Sequence, residues 1–359
     1  MSAKKTRAHG PNPTPFFFGT KAETLARIAP YLSLFEVPKS HCFTVAQWQA
    51  GPDALLRGLA ERFSGEMLIV RSSAHGEDGP EHSMAGQFMS VADVPAAEPE
   101  PLRLAVEEVI ASYRRNGAAE NPDDQILVQS MLSDVLMSGV LFTHDLNTGA
   151  PYYVINYDDE TGRTDTVTTG GAYSNRTLFV HRGALDAIHS ERFQLLAAAT
   201  VELEAVINNA CPDGGGLDIE FAVDRALSVH LLQVRRLTAQ PAPDGDVKQR
   251  VDEAVDRIQA FVVQRFAPMS GVYGRRSIFG QMPDWNPAEM IGRAPRPLAL
   301  SLYRHLITDQ AWRLARGQMG YGEPRGMPLL VSLGGQPYID VRLSFHSLLP
   351  AGLDKGIAE

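Results

Sequence analysis

Residues that could hold a phosphate group follow an apolar run within residues 69–91. Arg71 offers a planar set of donors that matches phosphate oxygens, and Ser72 and Ser73 add hydroxyl groups. Further along, Gly86 lies in an Ala-Gly-Gln turn that allows backbone amides to approach an anion without an intervening Cβ. The segment predicts a phosphate-binding loop, although an isolated Arg-Ser-Ser sequence is also typical of a surface turn between strands.

A second group of polar residues lies in a predicted β-hairpin at residues 216–238. Glu220 and Gln233 fall on its two strands and can point to the same side, where their oxygens suit a hard cation such as Mg²⁺. Strand alternation places Arg235 on the face of Gln233. A metal ion beside a guanidinium suits polyphosphate binding. The alternative is the solvent-facing side of an edge hairpin.

A lysine at the start of a predicted helix supplies a third positive charge. Thr20 can cap this helix and Glu23 can complete a capping box, so that Lys21 lies at the positive helix N-terminus. An anion bound at the same helix end would lie within its reach. The alternative is a solvated surface lysine, which is the commoner environment of a single lysine.

The elements that must position these residues follow from hydrophobic periodicity. Helices are predicted at residues 21–29, 53–63, 103–115, 192–209, 247–266 and 297–319, and strands at 67–71, 152–157, 217–223, 228–234, 329–333 and 338–343. Two further β-rich runs lie within residues 126–149, and together with 152–157 they favour one antiparallel sheet. In the last predicted strand, Asp340 and Arg342 are two residues apart, so both side chains point to the same face. This spacing predicts a structural salt bridge between them.

Composition restricts the classes of partner. The chain has 359 residues, 44% of them hydrophobic, which suffices for two domains with cores or for one large domain with an appendage. Its 33 basic and 42 acidic residues give a formal charge of −9, so we expect no general affinity for nucleic acid or for an anionic membrane. Cys42 and Cys211 lack partners at metal-ligand spacing, which argues against a zinc site and for a reducing, cytoplasmic compartment.

Four segments resemble, in order, the nucleotide-binding domain shared by phosphoenolpyruvate synthase, pyruvate phosphate dikinase and rifampin phosphotransferase. They are FGTKAETLARI (18–28), VRSSAHGEDGPEHSMAGQFMSV (70–91), ILVQSMLSDVLMSGVLFTHDLNTG (126–149) and DIEFAVDRALSVHLLQVRRLT (218–238). The resemblance implies an α+β ATP-grasp fold, in which two α+β subdomains clasp ATP, at residues 16–240. A flexible leader at residues 1–15 would precede it, and a helix-rich region at 247–359 would follow.

The resemblance also implies roles for individual residues. Lys21, Arg71 and Arg235 would be the catalytic, phosphate-binding residues, and Glu220 and Gln233 would bind Mg²⁺. The remaining ATP contacts would be Gly86 in the loop that closes over the phosphates, Ser90 where the family usually has threonine, and Gln129 with the backbone through Leu132 at the adenine.

The family's phosphohistidine segment and phosphoenolpyruvate-binding barrel are not recognisable in this sequence. We therefore expect the chain to activate a phosphoryl or pyrophosphoryl group of Mg-ATP for transfer to a histidine on a separate domain or chain. One alternative is a small-molecule kinase whose acceptor binds in the C-terminal region, where Trp285, Tyr338, Asp340 and Arg342 lie among glycines and prolines. Another is a non-catalytic nucleotide-binding regulatory module, which the acidic residues 158–160 favour because like charge repels a triphosphate.

Overall fold

The computed structural model describes residues 16–75, 89–115, 121–162, 176–208, 216–237, 246–324 and 326–353. The predicted leader and most of the predicted linker at residues 240–246 lie outside these ranges. Contacts divide the chain into two compact units, Met1–Val247 and Lys248–Glu359.

The described part of the first unit contains five α-helices and ten strands. The helices are α1 (Lys21–Ile28), α2 (Val45–Ala50), α3 (Pro52–Arg62), α4 (Pro99–Arg115) and α5 (Glu191–Asn208). The strands are β1 (Phe35–Glu36), β2 (Ser40–Thr44), β3 (Met67–Ser73), β4 (Ser90–Pro95), β5 (Gln125–Ser130), β6 (Val135–Phe142), β7 (Tyr152–Asp158), β8 (Arg176–His181), β9 (Leu217–Asp224) and β10 (Val229–Arg236).

Four of these strands form an antiparallel sheet in the order β2-β5-β3-β4. Leu68 and Val70 of β3 point into a core that also contains Leu59 of α3 and Val106 of α4. Because side chains alternate along a strand, Arg71 points to the opposite face of this sheet.

The other six strands form a sheet in the order β1-β10-β9-β6-β7-β8, which is antiparallel except for the pairing of β1 with β10. Ile219 and Phe221 of β9 are fully buried in a core with Leu25 of α1 and Leu203 of α5. Alternation therefore directs Glu220 away from this core. Each sheet thus has one apolar face against helices and one face with polar residues.

The prediction of one sheet for residues 126–157 is wrong for its first strand. β6 pairs with β7 as expected, but β5 belongs to the four-stranded sheet. The reason is packing: Ile126 and Val128 of β5 enter the core of that sheet, whereas Met137 and Leu141 of β6 enter the other core. The chain crosses between the two subdomains in the short connection at residues 131–134.

The described residues of the second unit form five helices, one π-helical turn and a small sheet. They are α6 (Val247–Arg265), β11 (Phe279–Gly280), α7 (Pro287–Ile291), α8 (Pro297–Tyr303), the π turn (Arg304–Thr308), α9 (Ala311–Gln318), β12 (Leu330–Leu333), β13 (Gln336–Asp340) and α10 (Val341–His346). The sheet order is β11-β13-β12. Trp312 and Ile339 are fully buried at the centre of a separate core. The α+β class with a helix-rich C-terminal region is confirmed.

The predicted salt bridge between Asp340 and Arg342 is wrong, because the strand ends at Asp340. The Asp340 carboxylate caps α10 by accepting from the backbone N–H of Arg342 (3.2 Å) and Leu343 (3.4 Å). Arg342 is therefore a helix residue, and its guanidinium donates to the carbonyl oxygens of Ala267 and Gly274 at 3.1 and 3.3 Å. A capping carboxylate explains why the strand pattern stops here.

None of the helices in the described ranges is both long and apolar enough to cross a bilayer.

Candidate nucleotide-binding site

The polar faces of the two sheets in the first unit meet at Arg71. Its Nη2 donates to Glu220 Oε2 at 2.7 Å and to Gln233 Oε1 at 3.4 Å, and its Nη1 donates to the Leu232 carbonyl oxygen at 3.4 Å. The side chains of Arg71 and Glu220 are 12% and 21% exposed. Residues 149 positions apart in sequence are thus joined in a half-buried cluster.

A β-bulge at Leu232 gives Gln233 its orientation. Leu231 pairs with Phe221 and Gln233 pairs with Glu220, so that Leu232 is an extra residue in β10. Leu231 and Val234 both enter the core, which regular alternation would not allow. The bulge turns Gln233 to the face of Glu220. The sequence pattern gave no sign of it.

Arg235 is held by a residue that the sequence did not single out. Its Nε and Nη2 lie 2.8 and 2.7 Å from Oδ2 of Asp218, the residue directly opposite in the hairpin. Such a charge-assisted contact fixes the plane of a guanidinium. Asp218 precedes Glu220 by two residues and therefore shares its strand face. This spacing is the sequence pattern from which Asp218 could have been identified.

The N-terminus of α1 joins this cluster through β3. Thr20 caps the helix by accepting from the Glu23 backbone N–H at 3.3 Å, as predicted. The backbone N–H of Ala22 donates to Ser73 Oγ at 3.1 Å, which ties the first helical turn to the strand of Arg71. Lys21 begins this helix, close enough for its charge to act on Glu220.

The charges around Glu220 set its protonation state. Burial acts to raise its pKa, but the positive charges of Arg71, Lys21 and Arg235 and the hydrogen bond from Arg71 outweigh burial and lower the pKa below its usual value. Glu220 is therefore a carboxylate at neutral pH.

Gln129 lies on the same sheet face as Arg71, one strand away. It is 2% exposed, and its Nε2 has no hydrogen-bond partner among the described residues. It pairs with Ile69 in the ladder, and Ile69 and Arg71 share a face. A buried amide donor without an acceptor is costly, so the position suits an acceptor atom of a ligand.

The other expected ATP contacts occupy different environments. Ser90 is exposed and pairs directly with Arg71. Leu132 packs against a small apolar cluster that contains Ala222 and Leu232 on the polar side of the six-stranded sheet. Gly86 lies outside the described residues. The structure thus brings together Arg71, Glu220 and Gln233, with Arg235 on the same hairpin.

The acidic residues 158–160 are largely neutralised. Asp159 lies 3.2 Å from Nη1 of Arg176 and 2.8 Å from Nη2 of Arg192, and Glu160 lies 2.7 Å from Nη2 of Arg176. Asp158 is buried and accepts from the backbone N–H of Glu160 at 2.8 Å. The repulsion expected from this sequence is therefore much reduced.

The donor set at Glu220 fits magnesium better than a softer metal. Within the described ranges, no cluster of three or more His, Cys, Asp or Glu side chains is arranged to hold a metal ion. One carboxylate and one amide oxygen on paired strands form an open, oxygen-only set. Mg²⁺ commonly binds such partial sites because it keeps water and takes further ligands from phosphates.

Residues 53–173 match the family described as "Pyruvate phosphate dikinase, AMP/ATP-binding domain". This range includes Arg71, Ser90, Gln129 and Leu132. No curated protein sequence matches the chain.

Several solved structures resemble the chain distantly. VanG D-Ala:D-Ser ligase from Enterococcus faecalis is 14% identical, with a TM-score of 0.33 over 59% of this chain and 51% of the ligase. D-alanyl-alanine synthetase A from Vibrio cholerae O1 biovar eltor str. N16961 is 13% identical, with a TM-score of 0.33 over 64% of this chain and 58% of the synthetase. The D-alanine-D-alanine ligase from Coxiella burnetii is 12% identical, with a TM-score of 0.35 over 67% and 60%.

The chain spans only about half to three fifths of the length of these structures, and likeness at this level does not bear on activity. The family match and the resemblance seen in the sequence agree on the same residues around Arg71. Residues 53–173 of this chain are therefore similar to the AMP/ATP-binding domain of pyruvate phosphate dikinase.

Proposed function

We propose that this chain binds Mg-ATP between the polar faces of its two sheets and activates a phosphoryl or pyrophosphoryl group for transfer. The supporting observation is the meeting of Arg71 with Glu220 and Gln233 at 2.7 and 3.4 Å. A phosphate-binding guanidinium from one sheet and an oxygen donor pair from the other form the combination that phosphoryl transfer needs.

In this proposal Glu220 and Gln233 hold Mg²⁺, which when bound neutralises charge on the phosphate oxygens. Arg71 exchanges its contact with Glu220 for phosphate oxygens, and Lys21 approaches them from the start of α1. Arg235 acts on the terminal phosphates while Asp218 fixes its plane. The contribution of these residues is positioning and charge stabilisation.

The base would lie beside Gln129 and Leu132, with Gly86 and Ser90 near the phosphates. The unpartnered Nε2 of Gln129 and the apolar contact of Leu132 support this orientation. Adenine offers both ring nitrogen acceptors and an apolar face, so each of the two residues has a complementary partner.

The acceptor in the leading proposal is a histidine on a separate domain or protein, and the location is the cytoplasm, where ATP is available. A small-molecule acceptor bound by the second unit is the alternative, supported by an arginine-lined cleft described below. A non-catalytic regulatory module has less support, because Arg176 and Arg192 neutralise the acidic residues that favoured it.

The first test is calorimetric titration with a non-hydrolysable ATP analogue, with and without Mg²⁺. We expect magnesium-dependent binding, and Arg71→Ala should weaken it about 10- to 100-fold, the effect of losing charge-assisted hydrogen bonds. Arg57→Ala, which removes an exposed arginine of α3, is the matched control and should bind normally. Equal binding by Arg71→Ala and Arg57→Ala would rule out the site.

Turnover provides the second test. With a competent acceptor, Arg71→Ala and Glu220→Ala should each abolish ATP consumption. A melting curve must accompany each variant, because removing one partner of a half-buried ion pair leaves the other charge uncompensated. Full activity in either variant would overturn the assignment.

A further inference from the structure

A cleft of about 600 Å³ lies within the second unit, between α6 and the β12–β13 hairpin. One wall consists of Arg257, Ile258, Phe261 and Arg265 of α6. Leu330 of β12 and the hairpin turn contribute to the facing wall, and Arg304 of the π turn adds a further charge. The cleft thus combines apolar walls with three guanidinium groups.

The cleft exists because α6 does not bury its apolar face. Residues 254, 257, 258, 261 and 265 recur at spacings of three and four and share one side of the helix. Yet none of the 19 residues of α6 is buried. Ile258 and Phe261 therefore line an open space instead of a packed core, which leaves apolar surface available to a ligand.

The turn between β12 and β13 closes one side of this space. Gly334 and Gly335 have φ values of +59° and +82°, a conformation that favours glycine at both positions. A Cβ at Gly334 would lie 3.7 Å from Cδ1 of Ile258, so the turn is in van der Waals range of α6. The glycine pair allows the hairpin to turn tightly against the helix.

The charge of the cleft is one-sided. No aspartate or glutamate is among its lining residues, in contrast to its three arginines. The second unit as a whole has 14 basic and 10 acidic residues, a formal charge of +4. Because the whole chain has a formal charge of −9, Met1–Val247 has a formal charge of −13. A positive, partly apolar cleft in an acidic protein selects for anions.

Two of the three arginines have only weak partners. Arg257 lies 3.7 Å from Glu253 and is 70% exposed, and Arg304 lies 3.4 Å from Asp309 and is 44% exposed. Exposed pairs at such distances contribute little, so a ligand can replace them at small cost. Arg265 is more rigid, because it lies 3.7 Å from the buried Asp340 and 5.0 Å from the ring centre of Phe261.

We propose that this cleft binds a small organic anion, with a carboxylate or phosphate head and a planar apolar body. The guanidinium groups of Arg257 and Arg304 would donate to the head, and Phe261, Ile258 and Leu330 would contact the body. The proposal does not depend on the nucleotide site, because every residue it uses belongs to the second unit.

The test is calorimetric titration of the full chain with four probes: phenyl phosphate, benzoate, inorganic phosphate and neutral benzyl alcohol. We expect phenyl phosphate or benzoate to bind in a 1:1 ratio, and benzyl alcohol and inorganic phosphate to bind about tenfold more weakly, since each lacks half of the recognised chemistry. Stronger binding of phenyl phosphate would identify a phosphorylated ligand, and stronger binding of benzoate a carboxylate.

Variants locate the binding. Arg257→Gln combined with Arg304→Gln should weaken the anionic probes about tenfold or more without lowering the melting temperature, because both side chains are substantially exposed. Arg293→Gln, an exposed arginine of the same unit outside the cleft, should bind as the unchanged chain does. Arg71→Ala should also leave probe binding unchanged, which separates this test from that of the nucleotide site.

Three results would overturn the proposal. They are equal binding of charged and neutral probes, no binding of any probe at millimolar concentration, and anion binding that the double variant retains in full.

Discussion

Arginines in the two units differ in how their charges are compensated. In the first unit, Arg71 and Arg235 each lie 2.7 Å from a carboxylate on a β-strand, and the four side chains are at most 21% exposed. In the cleft of the second unit, Arg257 and Arg304 lie 3.7 and 3.4 Å from the carboxylates of Glu253 and Asp309, which are close to them in sequence. The first pairs each join two different β-strands, whereas the second pairs are local in sequence and solvated.

This difference is compatible with the two uses that we propose for the arginine side chain. A guanidinium held by a carboxylate on another strand is preorganised, and in the proposed site Arg235 would meet a phosphate group in an orientation that Asp218 already fixes. Guanidinium groups on an exposed helix face can follow the shape of a ligand but lose side-chain entropy on binding. Reaction chemistry needs the former, and reversible capture of an anion is compatible with the latter.

The largest loss of stability should come from a substitution in the core of the second unit. Trp312→Ala removes a fully buried side chain from the second unit and should lower its free energy of unfolding by about 3–5 kcal/mol. Urea denaturation measures the loss. Trp312→Phe keeps most of the volume and also removes an indole N–H that has no partner among the described residues, so it should cost much less. A loss below about 1 kcal/mol for Trp312→Ala would contradict this core assignment.

A smaller loss of stability should follow when Arg235 loses the carboxylate that holds it. Asp218→Asn leaves a guanidinium that is only 20% exposed with a weaker acceptor, and should lower the free energy of unfolding by about 1–3 kcal/mol. It should also weaken binding of the ATP analogue, because Arg235 loses its fixed plane. Asp123→Asn, at an exposed position, is the control. Identical denaturation curves for the two variants would show that the pair is not preorganised.

The dependence of stability on pH tests Glu220. Its pKa is lower in the folded chain than the usual 4.5, so its ionised form contributes stability that is fully present above pH 4.5 and is lost as the pH falls through the folded pKa. Glu220→Gln should lower stability at neutral pH and flatten this acid-side decline. Denaturation midpoints across the acid range measure it, and parallel profiles for the two proteins would contradict the lowered pKa.

The smallest change in stability should come from a substitution at the exposed edge of the cleft. Glu253→Gln removes the carboxylate partner of Arg257 and should change the free energy of unfolding by no more than about 0.5 kcal/mol, because the pair is exposed. It removes a carboxylate from an arginine just as Asp218→Asn does, so the two variants compare the two environments directly. Equal losses of free energy of unfolding in Glu253→Gln and Asp218→Asn would contradict the difference between the exposed and the strand-held ion pairs.

Much of the local structure followed from sequence patterns. Apolar spacing predicted α5 and α6 to within a few residues, and the Thr20 cap correctly marked the start of α1. The hairpin of β9 and β10 was also predicted, because its apolar strands flank a polar turn. The residue types of the candidate site, Arg71 with Glu220 and Gln233, could also be predicted from the sequence. Few side-chain types suit phosphate or magnesium, so these residues stood out within the predicted strands.

The sequence by itself determined the helices, most strands and the residue types of the candidate site, because these depend on neighbours within a few positions. The tertiary structure alone placed β5 and β6 in different sheets, inserted the bulge at Leu232 and paired Arg71 with Glu220 across 149 residues. It also neutralised Asp159 with Arg176 and Arg192. Such outcomes depend on which apolar faces pack together and which charges then meet, and no local pattern contains that information.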